Sequence, residues 1–177
     1  MAYRVEVRSL FSSLSASRTV SGQLELSDVE LGEQIYHFDG PVTFEVTLTN
    51  AGAGIVAGGE AQASVRTSCV RCLCDMNIAV SAEIEGFYVL PGHDTDIPEE
   101  QECEFIADDM SVDLEPAIMQ SLVVELPYAP VHDEECRGIC PVCGADRNVT
   151  PCACEPAPVA SAFDALKGLQ IDEPRES

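Results

Sequence analysis

Nine cysteines in a chain of 177 residues are the side chains most able to do chemistry, and their spacing narrows the kind. Cys136, Cys140, Cys143, Cys152 and Cys154 fall in one short stretch. Within it, Cys140-Pro141-Val142-Cys143-Gly144 has the form of a metal knuckle. Two thiolates so spaced can grip one tetrahedral ion, and a glycine after the second tolerates the tight backbone. Cys69-Val70-Arg71-Cys72 is a second CxxC pair. An odd count at close spacings, in a reducing compartment, fits metal ligation better than a disulfide frame. A polar segment of this length buries too little apolar surface to order itself, so a metal bond would supply its folding energy. Zinc fits the ligand count and spacing better than an iron–sulfur cluster.

Two distributions of ligands are open. In one, Cys140, Cys143, Cys152 and Cys154 form a set of four, and Cys69, Cys72, Cys136 and His132 form another. In the other, Cys136, Cys140, Cys143 and Cys154 share one ion and the Cys69–Cys72 pair stays empty. One or two zinc ions follow accordingly. Cys74 and Cys103 have no obvious partner in either. Cys69 and Cys72 also admit a redox dithiol reading, although no βαβ pattern surrounds them, and a reading as buried packing cysteines.

The elements that must position these residues read as follows. Val42, Phe44, Val46 and Leu48 alternate with polar residues, the period of a half-buried strand. Asn50–Gly54 supplies a turn, and a second strand runs over residues 55–67, with Gly58-Gly59 suggesting a bulge or bend. A third strand is expected over 77–90, completing an antiparallel meander. Shorter alternations occur at residues 4–8 and 23–26, and 12–17 reads as a loop. Asp113 is placed to cap a helix carrying Leu114, Ala117, Ile118 and Leu122, and Pro127 stops it. The expected fold is α+β: an antiparallel β-sheet with one main helix and a C-terminal cysteine-rich zinc-knuckle tail. Residues 1–130 form the sheet and helix, 131–155 the metal-binding segment, and 156–177 a linker, a short terminal helix on Phe163, Leu166 and Leu169, and a frayed end.

Charge excludes several function classes. Lys and Arg number 9 against 31 Asp and Glu, a formal net charge of −22. Such a chain repels phosphate backbones and anionic membranes. Thiolate zinc sites stay anionic, so metal loading builds no cationic face. The first eight residues lack a secretory apolar core, and no apolar run reaches membrane length, so a cytoplasmic location is expected. No nucleophile triad, phosphate-binding glycine loop or HExxH stands out, and no enzymatic activity is expected. His37 and His93 read as packed or solvated side chains.

Ser68-Cys69-Val70-Arg71-Cys72-Leu73 resembles the CxRCL element of the YceD family of large ribosomal RNA subunit accumulation proteins. The stretch from Val112 through Leu126-Pro127, and then Cys136 to Ala145, is similar to that family's helix, proline stop and CxGLCPxCGxN ending. Phe163–Leu169 resembles its terminal helix. Asp146-Arg147-Asn148 replaces the family's Asn-Leu-Asn run, and Ser161-Ala162 stands in place of its Asp-Pro-Arg. The resemblance implies a cytoplasmic, non-enzymatic factor for synthesis, processing or stability of 23S rRNA, genetically associated with a small basic ribosomal protein. Charge and resemblance together point to action through a basic ribosomal protein or large-subunit assembly intermediate. The rival readings are a zinc-ribbon RNA binder using Arg66, Arg71, Arg137 and Arg147, and a thiol redox protein.

Overall fold

A computed structural model describes residues 2–91 and 103–155. In chain order they form β1 (Arg4–Glu6), a 3-10 turn (Arg8–Ser12), β2 (Ser17–Leu24), β3 (Val29–Leu31), β4 (Gln34–Phe38) and β5 (Val42–Asn50). Then follow β6 (Ile55–Ser68), β7 (Asp75–Val89), β8 (Glu104–Phe105), β9 (Ser111–Asp113) and the helix α1 (Glu115–Glu125).

The meander β5–β6–β7 is the frame, and its alternation is the reason. Val42, Phe44, Val46 and Leu48 are buried while Thr43 and Glu45 face outward. Ala57, Ala61 and Val65 on β6, and Val80, Ala82 and Ile84 on β7, repeat the pattern. β6 is the central strand. One edge pairs with β5 and then, at Val65 and Arg66, with β4; the other pairs with β7 from Ile55 to Ser68. β2 adds to β5, and β3 to β4. Every pairing is antiparallel except β7 with β8. α1 buries Ala117, Ile118 and Leu122 in the same core as the sheet, together with Val5, Val7, Leu10 and Val112.

Three local expectations are corrected. The register of β6 runs unbroken against both neighbours, so Gly58-Gly59 makes no bulge. Gly59 is instead a point of close approach, where a Cβ would run into the Glu45 carbonyl oxygen and lie 2.8 Å from Val46 Cα. The first forty residues hold more sheet than the alternations at 4–8 and 23–26 suggest: β2 begins at Ser17, and β3 and β4 follow it. The 4–8 alternation becomes β1, which pairs with β9 more than a hundred residues away, Val5 opposite Val112. Residues 12–17 are not a simple loop: Ser12 ends the 3-10 turn and Ser17 begins β2. The bend between them hangs on buried Asn50, whose Nδ2 donates to the Leu10 and Ser13 carbonyls at 3.0 and 3.1 Å.

Asp113 is not itself the N-cap; Leu114 is. The backbone of Asp113 is committed to β9, but its Oδ1 still accepts from the N–H of Glu115 (3.1 Å) and of Tyr3 (3.0 Å). One carboxylate thus serves the first helical turn and ties the N-terminus to it. Beyond the helix, the Tyr36 hydroxyl donates to the Pro127 carbonyl, fixing where the chain leaves the sheet layer. His93 and the expected helix on Phe163, Leu166 and Leu169 lie outside the described residues.

The glycine pair separates two effects. Gly59→Ala should destabilise the chain by about 1–3 kcal/mol through the backbone clash. Gly58→Ala, whose Cβ meets nothing within 4 Å, should be neutral or stabilising. Urea unfolding of the two variants checks the contrast.

Candidate metal centres

The turn joining β6 to β7 carries Cys69 to Cys74, and its backbone is closed by two hydrogen bonds. Cys69 N donates to the Cys74 carbonyl at 2.9 Å, and Leu73 N donates to the Cys69 carbonyl at 2.8 Å. The N–H groups of Arg71 and Cys72 point at the Cys69 sulfur. The Cys140–Ala145 turn repeats this residue for residue. Cys140 N donates to the Ala145 carbonyl and Gly144 N to the Cys140 carbonyl, both at 2.9 Å. The N–H groups of Val142 and Cys143 point at the Cys140 sulfur. The residue after the second cysteine is left-handed in each, Leu73 at φ 61° and Gly144 at φ 72°. The chain therefore holds two knuckles of one design. Sequence reasoning identified the second by its glycine and missed the first as a knuckle, because a leucine fills the left-handed position.

The sulfurs converge in two groups. Cys69, Cys72, His132 and Cys136 bring their donor atoms within 4.8 Å of one another, and so do Cys140, Cys143, Cys152 and Cys154. Cys136 thus sits with the strand-end pair and not with the second knuckle. Cys69 Sγ lies 3.9 Å from Cys136 Sγ, and Cys72 Sγ lies 3.3 Å from His132 Nδ1. Zn–S bonds of about 2.3 Å around a tetrahedral ion set sulfur–sulfur edges of roughly 3.8 Å. The donor sets, three thiols with an imidazole and four thiols, fit a soft or borderline divalent ion such as zinc.

Electrostatics supports the fit. Burial pushes the Cys69 thiol up, but hydrogen bonds from the His132 side chain and from nearby backbone N–H groups outweigh it and bring it down to about 5. The N–H groups of Cys143 and Val142 bring Cys140 down to about 6 against its burial. Their neighbours move the other way. The N–H of Cys74 favours the Cys72 thiolate, but burial and the surrounding thiols push Cys72 up to about 12. The Cys143 thiol, with burial, pushes Cys154 up to about 12. Sulfurs this close cannot all ionise alone; a divalent cation removes the repulsion and lets the rest lose their protons.

Backbone contacts fasten residues 130–155 to the first knuckle. Val70 N donates to the Pro130 carbonyl and Ile139 N to the Arg71 carbonyl, both at 2.9 Å. The Arg71 guanidinium donates to the carbonyls of Glu134 (2.9 Å) and Cys136 (3.2 Å). Gly138, at φ 67°, lets this crossing occur, since a Cβ there would sit 2.9 Å from the Arg71 oxygen. Asn148 links the two sites: its Nδ2 lies 3.4 Å from Cys136 Sγ, and its Oδ1 accepts from Arg137 N at 2.8 Å. Cys74 is adjacent to the first group, 3.2 Å from Cys72 Sγ, whereas Cys103 lines a separate hollow with Tyr88 and Glu104. His37 pairs with Asp28 at 2.7 Å and has no place in either centre. Of the arginines considered for RNA contact, Arg71 is committed to carbonyls, while Arg137 and Arg147 are exposed.

The described residues thus form a β-meander with a helix packed on it and two cysteine knuckles beside the β6–β7 turn. Residues 57–170 match the family described as large ribosomal RNA subunit accumulation protein YceD, and the chain belongs to that family. It is 25% identical over 126 residues to an uncharacterized protein of Mycobacterium leprae, covering 71% of this chain and 58% of that one. It is 30% identical over 113 residues to uncharacterized proteins of Mycobacterium bovis and Mycobacterium tuberculosis, covering 63% of this chain and 52% of each. The chain thus spans little more than half the length of the curated relatives it matches. No solved structure matches it. No helix among the described residues is long and apolar enough to cross a membrane.

Leu73 makes the knuckle symmetry testable. A left-handed leucine costs roughly 1–2 kcal/mol, and its side chain, 61% exposed, repays little by burial. Leu73→Gly should therefore raise chain stability by up to about 1 kcal/mol, and Gly144→Leu should lower it by a similar amount. Paired urea titrations of the zinc-loaded proteins, in which both knuckles are ordered, read both signs.

Proposed function

We propose that the protein is a non-enzymatic accessory factor of large ribosomal subunit biogenesis, supporting 23S rRNA synthesis, processing or stability through basic protein partners. Membership of the large ribosomal RNA subunit accumulation family over residues 57–170 carries this reading. The net charge of −22 chooses the kind of partner. A strong negative field repels rRNA but steers basic ribosomal proteins toward it and speeds their encounter. In this reading the two knuckles are structural zinc sites. They hold residues 131–155 against the sheet and take no part in a reaction.

Depletion of the protein in its own cell should lower the ratio of 23S to 16S rRNA. An unchanged ratio with normal growth would withdraw the assignment to the large subunit.

The metal assignment has its own measurement. The reduced full chain should carry two zinc ions, falling to one in Cys69→Ser and to one in Cys143→Ser. A single ion in the unaltered chain would remove the two-site arrangement. The exposed Arg137 and Arg147 favour, as a second reading, local contact of the second knuckle with rRNA. That reading requires tight binding to 23S fragments at physiological salt, a steep loss with added salt, and weakening by Arg137→Glu.

A further inference from the structure

We propose that the open edge of β7 and the flank of α1 form a docking groove for an extended, basic segment of a partner protein, which adds to the sheet as a further strand. The proposal rests on the partner reading above and gives that partner a place.

β7 pairs with β6 from Asp75 to Tyr88 but with β8 only at Tyr88 and Val89. From Asp75 to Phe87 its outer edge has no strand beside it among the described residues. Ile106 N donates to the Val89 carbonyl at 2.8 Å, so Val89 turns its backbone polar groups toward that edge. Alternation along the strand then turns those of Phe87, Glu85 and Glu83 the same way. Unpaired N–H and C=O groups in a row are a template for another strand.

The chemistry beside the edge selects the occupant. A groove of about 800 Å³ is lined by Glu83, Glu85, Met119, Val123, Val124 and Glu125. Val124 is 81% exposed, an apolar side chain with no packing of its own. None of the three carboxylates has a cationic partner among the described residues. Glu83 also ends a like-charged row, standing opposite Glu60, which stands opposite Glu45. Like charges directly across strands repel, and a cation arriving at Glu83 relieves that repulsion. An extended segment alternating apolar residues with Lys or Arg satisfies the edge, the apolar flank and the carboxylates together. A second copy of this chain would bring the same carboxylates face to face. The chain's own residues 156–177 carry Asp164, Asp172, Glu173 and Glu176 against Lys167 and Arg175, so they supply little counter-charge.

The test uses the full chain and two probes: a labelled peptide alternating lysine and valine, and the acid-extracted proteins of purified large ribosomal subunits. Anisotropy should show peptide binding that falls tenfold or more with Glu83→Lys/Glu85→Lys and with Val124→Lys. Glu30→Lys/Glu33→Lys, the same charge change elsewhere, should leave it within twofold. N-methylation of alternate peptide residues should abolish binding by blocking the ladder. Equal losses in both double variants, or indifference to N-methylation, would reduce the effect to general charge attraction and overturn the groove. If extracted proteins bind the unaltered and groove-variant chains equally, the groove fails while the partner reading stands. If none binds the unaltered chain, the partner reading fails with it. A dimer that dissociates in Glu83→Lys/Glu85→Lys would make a second copy the occupant. Peptide binding that appears only in Phe163→Asp/Leu166→Asp would make it the chain's own terminal segment. Either result overturns the proposal.

Discussion

Three sulfurs and one imidazole, drawn from positions as much as 67 residues apart, meet at the end of the β6–β7 hairpin, and the placement of residues 131–155 follows from that meeting. Residues 131–155 form no helix or strand; their regular pairing is a single bridge between Ile139 and Asp146. Their buried residues are Cys136, Gly138 and Cys140. A segment with so little apolar surface cannot offset its own ordering entropy through burial. Backbone hydrogen bonds to Val70 and Arg71 position it, but those groups bond to water equally well when the segment is loose. Ligation is the term left to make the attachment net favourable.

The sheet supplies what such an attachment needs, a rigid point of departure. β6 is paired on both edges and β7 continues its register without interruption, so the turn carrying Cys69 and Cys72 is held by fourteen residue pairs running back to Ile55. The same rigidity has a cost on the outer face. Regular pairing sets Glu45, Glu60 and Glu83 in line, and no side-chain cation among the described residues neutralises them. A sheet tolerating such a row keeps a strongly negative outer face whose field extends beyond the strands.

Much of this was legible in the sequence where periodicity and chemistry agree. Val42 to Leu48 and the stretches 55–67 and 77–90 declared the meander, and the helix showed through Leu114, Ala117, Ile118 and Leu122. The ligand sets were legible as an inventory, though spacing alone left two distributions open; only the fold shows that Cys136 reaches back to Cys69. β1 showed in the alternation of residues 4–8, but its pairing with β9 did not; β3 and β9 were not legible, because three residues carry no measurable period and β9's partner is a distant neighbour. The first knuckle was hidden for another reason. Its left-handed residue is Leu73, and local propensity points away from the conformation that the surrounding hydrogen bonds impose. The function of Arg71 within the CxRC element was equally invisible, since its partners are carbonyls of a segment more than sixty residues away.

The different spans of the two centres give them different places in the history of the chain as it is made. The group of Cys140, Cys143, Cys152 and Cys154 is local and can close as soon as its own few residues are free. The group of Cys69, Cys72, His132 and Cys136 closes a long loop, and that closure is favourable only after the meander and α1 have shortened the distance. During synthesis Cys69 and Cys72 therefore emerge as an incomplete pair and stay so while the whole helix is being added. The nascent hairpin is exposed to thiol chemistry for that interval, and the arrival of Cys136 ends it.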